Sequence, residues 1–388
     1  MPGRDAWLLG AYAVLTFALN LPETNLTLFA AHGGFDAEFF QAISGVAGLP
    51  WCIKPVVGAF ADATPLLGRT RAPYMQLGAL AFAVAWLCLP LTLHSKPLFA
   101  ALLFAQSFAA MVVDVMLDGV LVTRCHDTEA GDGIGVLQAN CWVVRAVAAF
   151  ASSVLGGVCA TAPVGRVCTA TGLVFLLVFV AADRIEPWGT PLAAAPAGGV
   201  KGVLLRTRDV MLCTPSLRGV AAMLALVCLC PSANVVFSYF LTNELSYSGF
   251  EFTVIDVCGH VASLCGALAF KHCLRRARFR TIFAACICVI FVLRAAQLLL
   301  ALRVSSSVWL AASDEAALAI VSSVLVMPAL VVAARASDRD SSAVYGAVLS
   351  LANLASIVGV ELGAGAALSL GVGRANYSHL PVLLAVLS

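Results

Sequence analysis

Residues 49–58 read Leu49-Pro50-Trp51-Cys52-Ile53-Lys54-Pro55-Val56-Val57-Gly58, followed by Asp62, Pro65, Gly68, Arg69, Arg71, Pro73 and Tyr74. This stretch ends an apolar run over 38–60 and turns it into a short loop of mixed charge. The run is long enough to cross a bilayer as helix. Pro55 cannot donate the backbone hydrogen bond that a helix needs, so the helix kinks there. Lys54, between Trp51 and Pro55, places an ammonium in the inner half of the span. It either carries charge into a cavity or snorkels to the membrane surface.

The rest of the chain extends this reading. Of 388 residues, 61% are hydrophobic and 11% are charged. A soluble domain has about 25% charged residues, so this chain cannot cover a water-facing globule. Soluble, disordered and collagenous classes are excluded together. Net charge is +2, with no basic stripe of the kind that binds nucleic acid. The 14 cysteines contain no C-x-x-C pair, so a zinc site has no spacing support. They read as small packing residues. No metal and no cofactor is expected. No cleavable signal is expected either, since only five residues precede the first apolar run.

Spans are expected at 6–30, 38–60, 74–93, 98–122, 134–160, 167–183, 217–241, 249–270, 279–301, 309–333 and 342–369. A twelfth is expected to start near His379. With the N-terminus inside, cytoplasmic segments hold sixteen Lys and Arg and outer loops hold four: Lys96, Arg166, Arg303 and Arg374. This asymmetry sets the orientation. The longest connection, 184–216, carries Pro187, Pro191, Pro196 and a basic stretch from Lys201 to Arg208. It reads as a cytoplasmic linker, with room for a short helix on the membrane surface. The expected organisation is a six-helix half over 1–183, the linker over 184–216 and a second half over 217–388. Six plus six with a basic inner linker is similar to the layout of major facilitator transporters, whose substrate sites lie between the halves near the midplane. In a twelve-helix transporter the last helix returns to the inside. Ten residues rise only about 15 Å as helix, so the twelfth span is expected to be incomplete, from a truncated or misread chain or because it is dispensable.

Two further motifs join the first. The fourth span carries Asp114-Val115-Met116-Leu117-Asp118-Gly119 and the fifth Leu137-Gln138-Ala139-Asn140-Cys141-Trp142-Val143-Val144-Arg145-Ala146-Val147. Together with residues 50–74 they resemble the folate–biopterin transporter family, a branch of the major facilitator superfamily. That family's signatures are PW-x-x-KP-x-x-G-x-x-x-D-x-x-P-x-x-G-x-x-R-x-PY, DV-x-x-D and LQ-x-x-CW-x-x-RAV. Leu351-Ala352-Asn353-Leu354 and Gly359 are weaker matches. The resemblance covers 49–160 clearly. It implies an integral, multi-pass secondary transporter of folates or reduced pterins, driven by a proton gradient, with no particular membrane indicated. It also implies that Gly58, Asp62, Arg69 and Arg71 form an inter-helix charge latch that steadies the outward-facing state. Some family members carry other solutes, including S-adenosylmethionine. A major facilitator transporter of a sugar, amino acid or drug is the alternative. An intramembrane enzyme lacks motif support, since there is no H-E-x-x-H. A channel lacks a repeated filter.

The intramembrane polar residues carry the chemistry. A charge in the bilayer costs about 2.5–3.5 kcal/mol on insertion scales, so each needs a partner or a role. Asp114 and Asp118, at i and i+4, share a helix face. Two adjacent carboxylates do not both ionise easily, so one is expected to hold a proton. They read as a proton-coupling or substrate-anchoring pair, or as a salt bridge to Arg145. Arg145, mid-span, is the candidate to pair with Asp118 or with a substrate carboxylate through its bidentate fork. Glu23 follows Pro22 in the first span and is a candidate for proton or cation handling, or a carboxylate near the outer surface. Asp256 and His260 form another i, i+4 pair that suits a relay or a structural contact. Arg294 faces the same choice, and Asp314–Glu315 read as an outer helix cap. Asn353 and Glu361 lie two turns apart on one face, which suits a cavity. Trp51, Trp142 and Phe237 either pack or stack on a flat ring. The sequons at Asn25 and Asn376 fall on expected outer loops, the first too near the membrane to be a good acceptor.

Overall fold

The computed structural model describes residues 2–30, 35, 37–128, 136–190, 198–274, 277, 279–337, 343–373 and 376–387. Among these, the chain is an all-helical bundle. Its helices are α1 (Pro2–Asn20), α2 (Glu23–Phe29), α3 (Ala37–Gly48), α4 (Lys54–Ala63), α5 (Ala72–Cys88), α6 (Lys96–Thr128), α7 (Val136–Val158) and α8 (Val164–Ile185), then α9 (Gly199–Cys213), α10 (Pro215–Cys228), α11 (Asn234–Asn243), α12 (Gly249–Ala269), α13 (Phe279–Ala301), α14 (Val308–Ala336), α15 (Ala343–Ser369) and α16 (Leu380–Leu387).

Eight segments among the described residues are individually long and apolar enough to cross a membrane. The remaining expected spans are present as helix too. The first is α1 and α2, interrupted at Pro22. The seventh is α10 and α11, interrupted over 229–233. The ninth is α13. The twelfth segment is helical over the eight residues of α16. Proline explains the breaks in the first and second spans, because Pro22 and Pro55 withdraw backbone donors. In the second span a 3-10 turn over Leu49–Ile53 joins α3 to α4. Leu77, Val84, Leu173, Leu177, Val180 and Leu226 stay exposed on the outer surface of the bundle, as expected where lipid tails are the solvent.

Helices α1 to α8 share one large core, from Leu8 through Phe82, Phe99 and Met111 to Phe175 and Ile185. The second half is buried in several separate clusters. One surrounds Phe240, Leu300 and Leu380. Another surrounds Leu217, Leu330 and Val348, and a third surrounds Phe283 and Leu325. The halves meet along two seams, α7 against α12 and α15 against α3, the 49–53 turn and α4.

Two local devices shape the second seam. The interrupted segment between α10 and α11 lies on α15, where Cβ atoms at Gly359 and Gly363 would stand 2.9 Å from the Cys230 carbonyl oxygen and 1.9 Å from that of Ser232. Only glycine lets that irregular backbone approach so closely. Helix α9 meets α10 at 90°, the geometry of a helix turned out of the bundle, and packs Val203 against Ala59 and Ala343.

Candidate functional site

The kinked second span sets the site. Pro55 has no N–H for the carbonyl of Trp51, four residues earlier. That carbonyl is instead taken from the other half, by Ser350 Oγ at 3.1 Å and Asn353 Nδ2 at 3.2 Å. The Trp51 indole N–H donates to Ser107 Oγ at 2.9 Å, and the Ser107 hydroxyl in turn donates to the Ala47 carbonyl. Trp51 is thereby fixed at both its backbone and its ring.

One step along the chain, Lys54 is 3% exposed. Burial rules out snorkelling to the surface. Its ammonium bonds Asp114 and lies 3.4 Å from Asp118 Oδ2. Arg145 bonds the other oxygen of Asp114. Tyr12 donates to Asp118 Oδ1 at 2.8 Å. Asp114 therefore has both cations directly on it. Asp118 has one phenol and one cation at longer range. The Arg145 guanidinium also lies over the Tyr12 ring, 4.5 Å from its centroid, and 5.6 Å from that of Trp142. Lys54 stands 5.0 Å from the Trp51 centroid. Aromatic faces stabilise both cations where water is scarce.

These groups line a small inner cavity of about 150 Å3 together with Gln138, Trp142, Tyr345 and Asn353. A second cavity of about 700 Å3 lies between the outer parts of the helices, lined by Asn20, Glu23, Phe40, Trp86, Gln106, Asn234 and Ser238 among others. Trp51 lines both, so this residue stands between them. On the inner side the halves are tied by Gln138 Nε2 donating to Tyr345 Oη at 2.6 Å, by the His126 ring with the Ser337 carbonyl at 3.1 Å and by Lys271 Nζ donating to Asn140 Oδ1 at 2.8 Å.

The sequence profile of the BT1 family matches residues 17–388. The chain belongs to the BT1 family. It is 25% identical over 363 residues to the folate-biopterin transporter of Synechocystis sp., covering 91% of this chain and 72% of that protein. It is 24% identical over 256 residues to probable folate-biopterin transporter 7 of Arabidopsis thaliana, covering 64% of this chain and 58% of that protein. In structure it is similar to the human organic anion transporter MFSD10, with a TM-score of 0.65 at 18% identity over 99% of this chain and 97% of that one. It is similar to the nucleoside transporter NupG with a TM-score of 0.69 at 11% identity over the same shares. The fold is that of a major facilitator transporter, and this BT1-family chain is an integral, multi-pass membrane transporter rather than an enzyme.

Gly58, Asp62, Arg69 and Arg71, the expected latch residues, lie around α4, the loop after it and the start of α5. Arg69, almost fully buried, bonds Asp183 Oδ1 at 2.5 Å and lies 3.9 Å over the Trp188 ring. The Glu186 carboxylate accepts from the backbone N–H groups of Thr70, Arg71 and Ala72 at 3.0, 2.8 and 2.6 Å. It thus caps the N-terminus of α5, where free N–H groups and the helix dipole favour an anion. Arg71 lies 3.7 Å from Asp62, and its Nη1 stands 1.2 Å from where a Cβ at Gly119 would be. Gly119, next to Asp118, is the slot that admits Arg71. Gly58 is buried on α4.

Of the residues singled out in the sequence, Trp51, Lys54, Asp114, Asp118, Trp142, Arg145 and Asn353 share the inner cavity. Glu23 lines the outer one. Glu361 lines neither. It is exposed, and its Oε1 stands 2.7 Å from the Cβ position of Gly45 on α3. The expected Arg145–Asp118 pairing differs in partner, because Arg145 bonds Asp114. Asp256 accepts from Thr24 Oγ1 at 3.3 Å. Asp314 is 4% exposed and accepts from Gln297 Nε2 at 2.7 Å, so it is a buried hydrogen-bonded group and no helix cap. Asn25 is buried and donates to the carbonyls of Cys159, Ala160 and Ala162, which ties α2 to the end of α7. The side chain of Arg294, and residues Arg275, Arg276 and Arg278, lie outside the described residues.

Tyr12, Gln138 and Tyr345 complete the cavity and were not candidates. Tyr12 sits in an apolar run with no neighbouring charge to mark it. Gln138 lies in the fifth-span motif, and only its burial at 2% exposure reveals a polar side chain that needs a partner.

Proposed function

We propose that this transporter moves a folate or pterin-like anion across its membrane together with a proton, by alternating access. Residues 1–183 and 217–388 act as two halves, joined by 184–216, that rock about the cluster. The observation that carries the reading is the charge balance of that cluster. Lys54 and Arg145 are matched by Asp114 and Asp118, all at the interface of the halves. A solute carboxylate reaching Lys54 and Arg145 adds one negative charge to a balanced, poorly solvated site. Charge added there without a counterion is costly. A proton on Asp118 restores the balance. Asp118 is the carboxylate placed to take it, because Asp114 is held by both cations and Asp118 by only one, at longer range. Solute and proton then stabilise each other's binding, the reciprocal coupling that a symporter needs.

The names of the similar Synechocystis and Arabidopsis proteins support the solute class. The flat wall offered by Trp51, which faces the larger cavity as well, suits a heteroaromatic ring. The inner ties, the partition at Trp51 and the larger cavity on its outer side support an outward-facing resting state, with Gly58, Asp62, Arg69 and Arg71 as its latch. The test is uptake by purified protein in proteoliposomes of folate, biopterin and S-adenosylmethionine, with and without an inward proton gradient. Saturable uptake of folate or biopterin that rises when the outside is acidified supports the reading. Uptake of none of them sinks the solute assignment.

A further inference from the structure

The lining of the outer cavity includes two residues with polar atoms that the ion cluster does not use. The indole N–H of Trp86 on α5 and the amide oxygen Oε1 of Gln106 on α6 are both buried without a hydrogen-bond partner among the described residues. Trp86 is 2% exposed. Both residues line the outer cavity. A buried donor or acceptor left unmade is costly and rare. Here there is one of each, on adjacent helices of the first half. Across the cavity stand Asn234 and Ser238 of α11, from the second half, with Glu23 in the same lining and Trp51 as the partition below.

Size separates the two cavities' roles. About 150 Å3, the inner volume, is the size of a cavity that takes a single benzene ring. It holds a carboxylate or one small ring. It does not hold a two-ring heterocycle with a tail. The outer volume of about 700 Å3 lies within the range of whole-ligand pockets.

We infer that the outer cavity is the seat of the solute's heterocycle, and that Trp86 and Gln106 are specificity-determining residues that read its hydrogen-bonding edge. The ligand class is a planar, fused heteroaromatic ring with a mixed donor and acceptor edge, of the 2-amino-4-oxo kind. Trp86 Nε1 donates to a ring nitrogen or oxo group. Gln106 Oε1 accepts from a ring N–H or amino group, and the Glu23 carboxylate is a second acceptor. The tail then points past Trp51, so that its carboxylate meets Lys54 and Arg145. This arrangement rests on the proposed function for the solute class and adds the place and the residues that recognise its ring. A ring analogue lacking the amino group leaves Gln106 unpaired, and sites built around buried polar groups reject such analogues strongly.

Calorimetric titration of the purified full-length protein with a carboxylate-free 2-amino-4-oxopteridine, alongside its 2-desamino analogue, tests this. Saturable binding of the first, at least about tenfold tighter than the second, is expected. Gln106→Leu should weaken the first by about tenfold and remove the difference between the two, while Trp86→Phe should weaken both and keep the ring packing. A wild-type protein that binds neither compound overturns the inference, and so do folded variants that keep the wild-type ratio. If Gln106→Leu does not fold, Gln106→Met replaces it, an apolar side chain of similar length without the amide acceptor, and loss of the ratio is again the expected result. Folate uptake measured in parallel separates the two proposals. Uptake without heterocycle binding sinks this one alone, and heterocycle binding without uptake sinks only the transport reading.

Discussion

The two halves handle intramembrane charge differently. In the first, Lys54, Asp114, Asp118 and Arg145 converge from three spans into one ion cluster, set in a single continuous core. In the second, the acids are dispersed and meet neutral donors. Asp314 is met by Gln297, and Asp256 by Thr24 of the first half. The packing there is divided into separate clusters, and the α10–α11 span is interrupted beside the outer cavity. Buried ion pairs constrain their neighbours strongly, because removing one partner strands the other charge. Single hydrogen bonds to neutral groups constrain weakly. On the proposed mechanism, the first half is the rigid wall that holds solute and proton, and the second is the wall that moves against it.

The largest break in this contrast is Asp114→Ala. It leaves Lys54 and Arg145 with Asp118 as their one carboxylate, and the loss of a buried ion-pair partner costs about 3–5 kcal/mol. Thermal melting in detergent should show a large fall in Tm, with uptake abolished. Gly119→Ala comes next. The added methyl falls on the Arg71 guanidinium, and overpacking of this kind costs about 1–3 kcal/mol. It should displace the latch, so that cysteine labelling finds the inner end more accessible than in wild type. A melt unchanged by Gly119→Ala would mean that Arg71 is free to leave its slot. The smallest effect is expected in the second half. Asp314→Asn keeps an acceptor for Gln297 and should shift stability by less than about 1 kcal/mol. An Asp314→Asn loss as large as that of Asp114→Ala would erase the contrast between the halves.

How much of this was legible in the sequence follows from the kind of signal. The spans were, because apolar run length and the distribution of Lys and Arg are local. Even the breaks at Pro22 and Pro55 followed from proline chemistry. The members of the ion cluster were legible as charges in apolar runs, since each is costly there. Their pairing was not. Lys54 and Asp114 are 60 residues apart and meet only through packing of α4 against α6. Helix-face arithmetic ties Asp114 to Asp118 and says nothing of which carboxylate each cation reaches. Tyr12 was invisible because an aromatic in an apolar span carries no charge to flag it. Trp86 and Gln106 were missed for the same reason, since an unmade hydrogen bond is a property of surroundings. Asp314 was misread as a cap because a sequence gives its distance from a helix start and not its burial.

The central claim is that Asp118 carries the coupled proton beside a balanced cluster. Folate uptake into proteoliposomes, with the outside held at a series of pH values and the inside fixed, tests it in wild type and Asp118→Asn. The account predicts wild-type uptake that rises as the outside is acidified, and an Asp118→Asn protein that folds, binds folate and no longer responds to the gradient. Wild-type uptake indifferent to the gradient, or an Asp118→Asn protein that keeps the wild-type response, would contradict it.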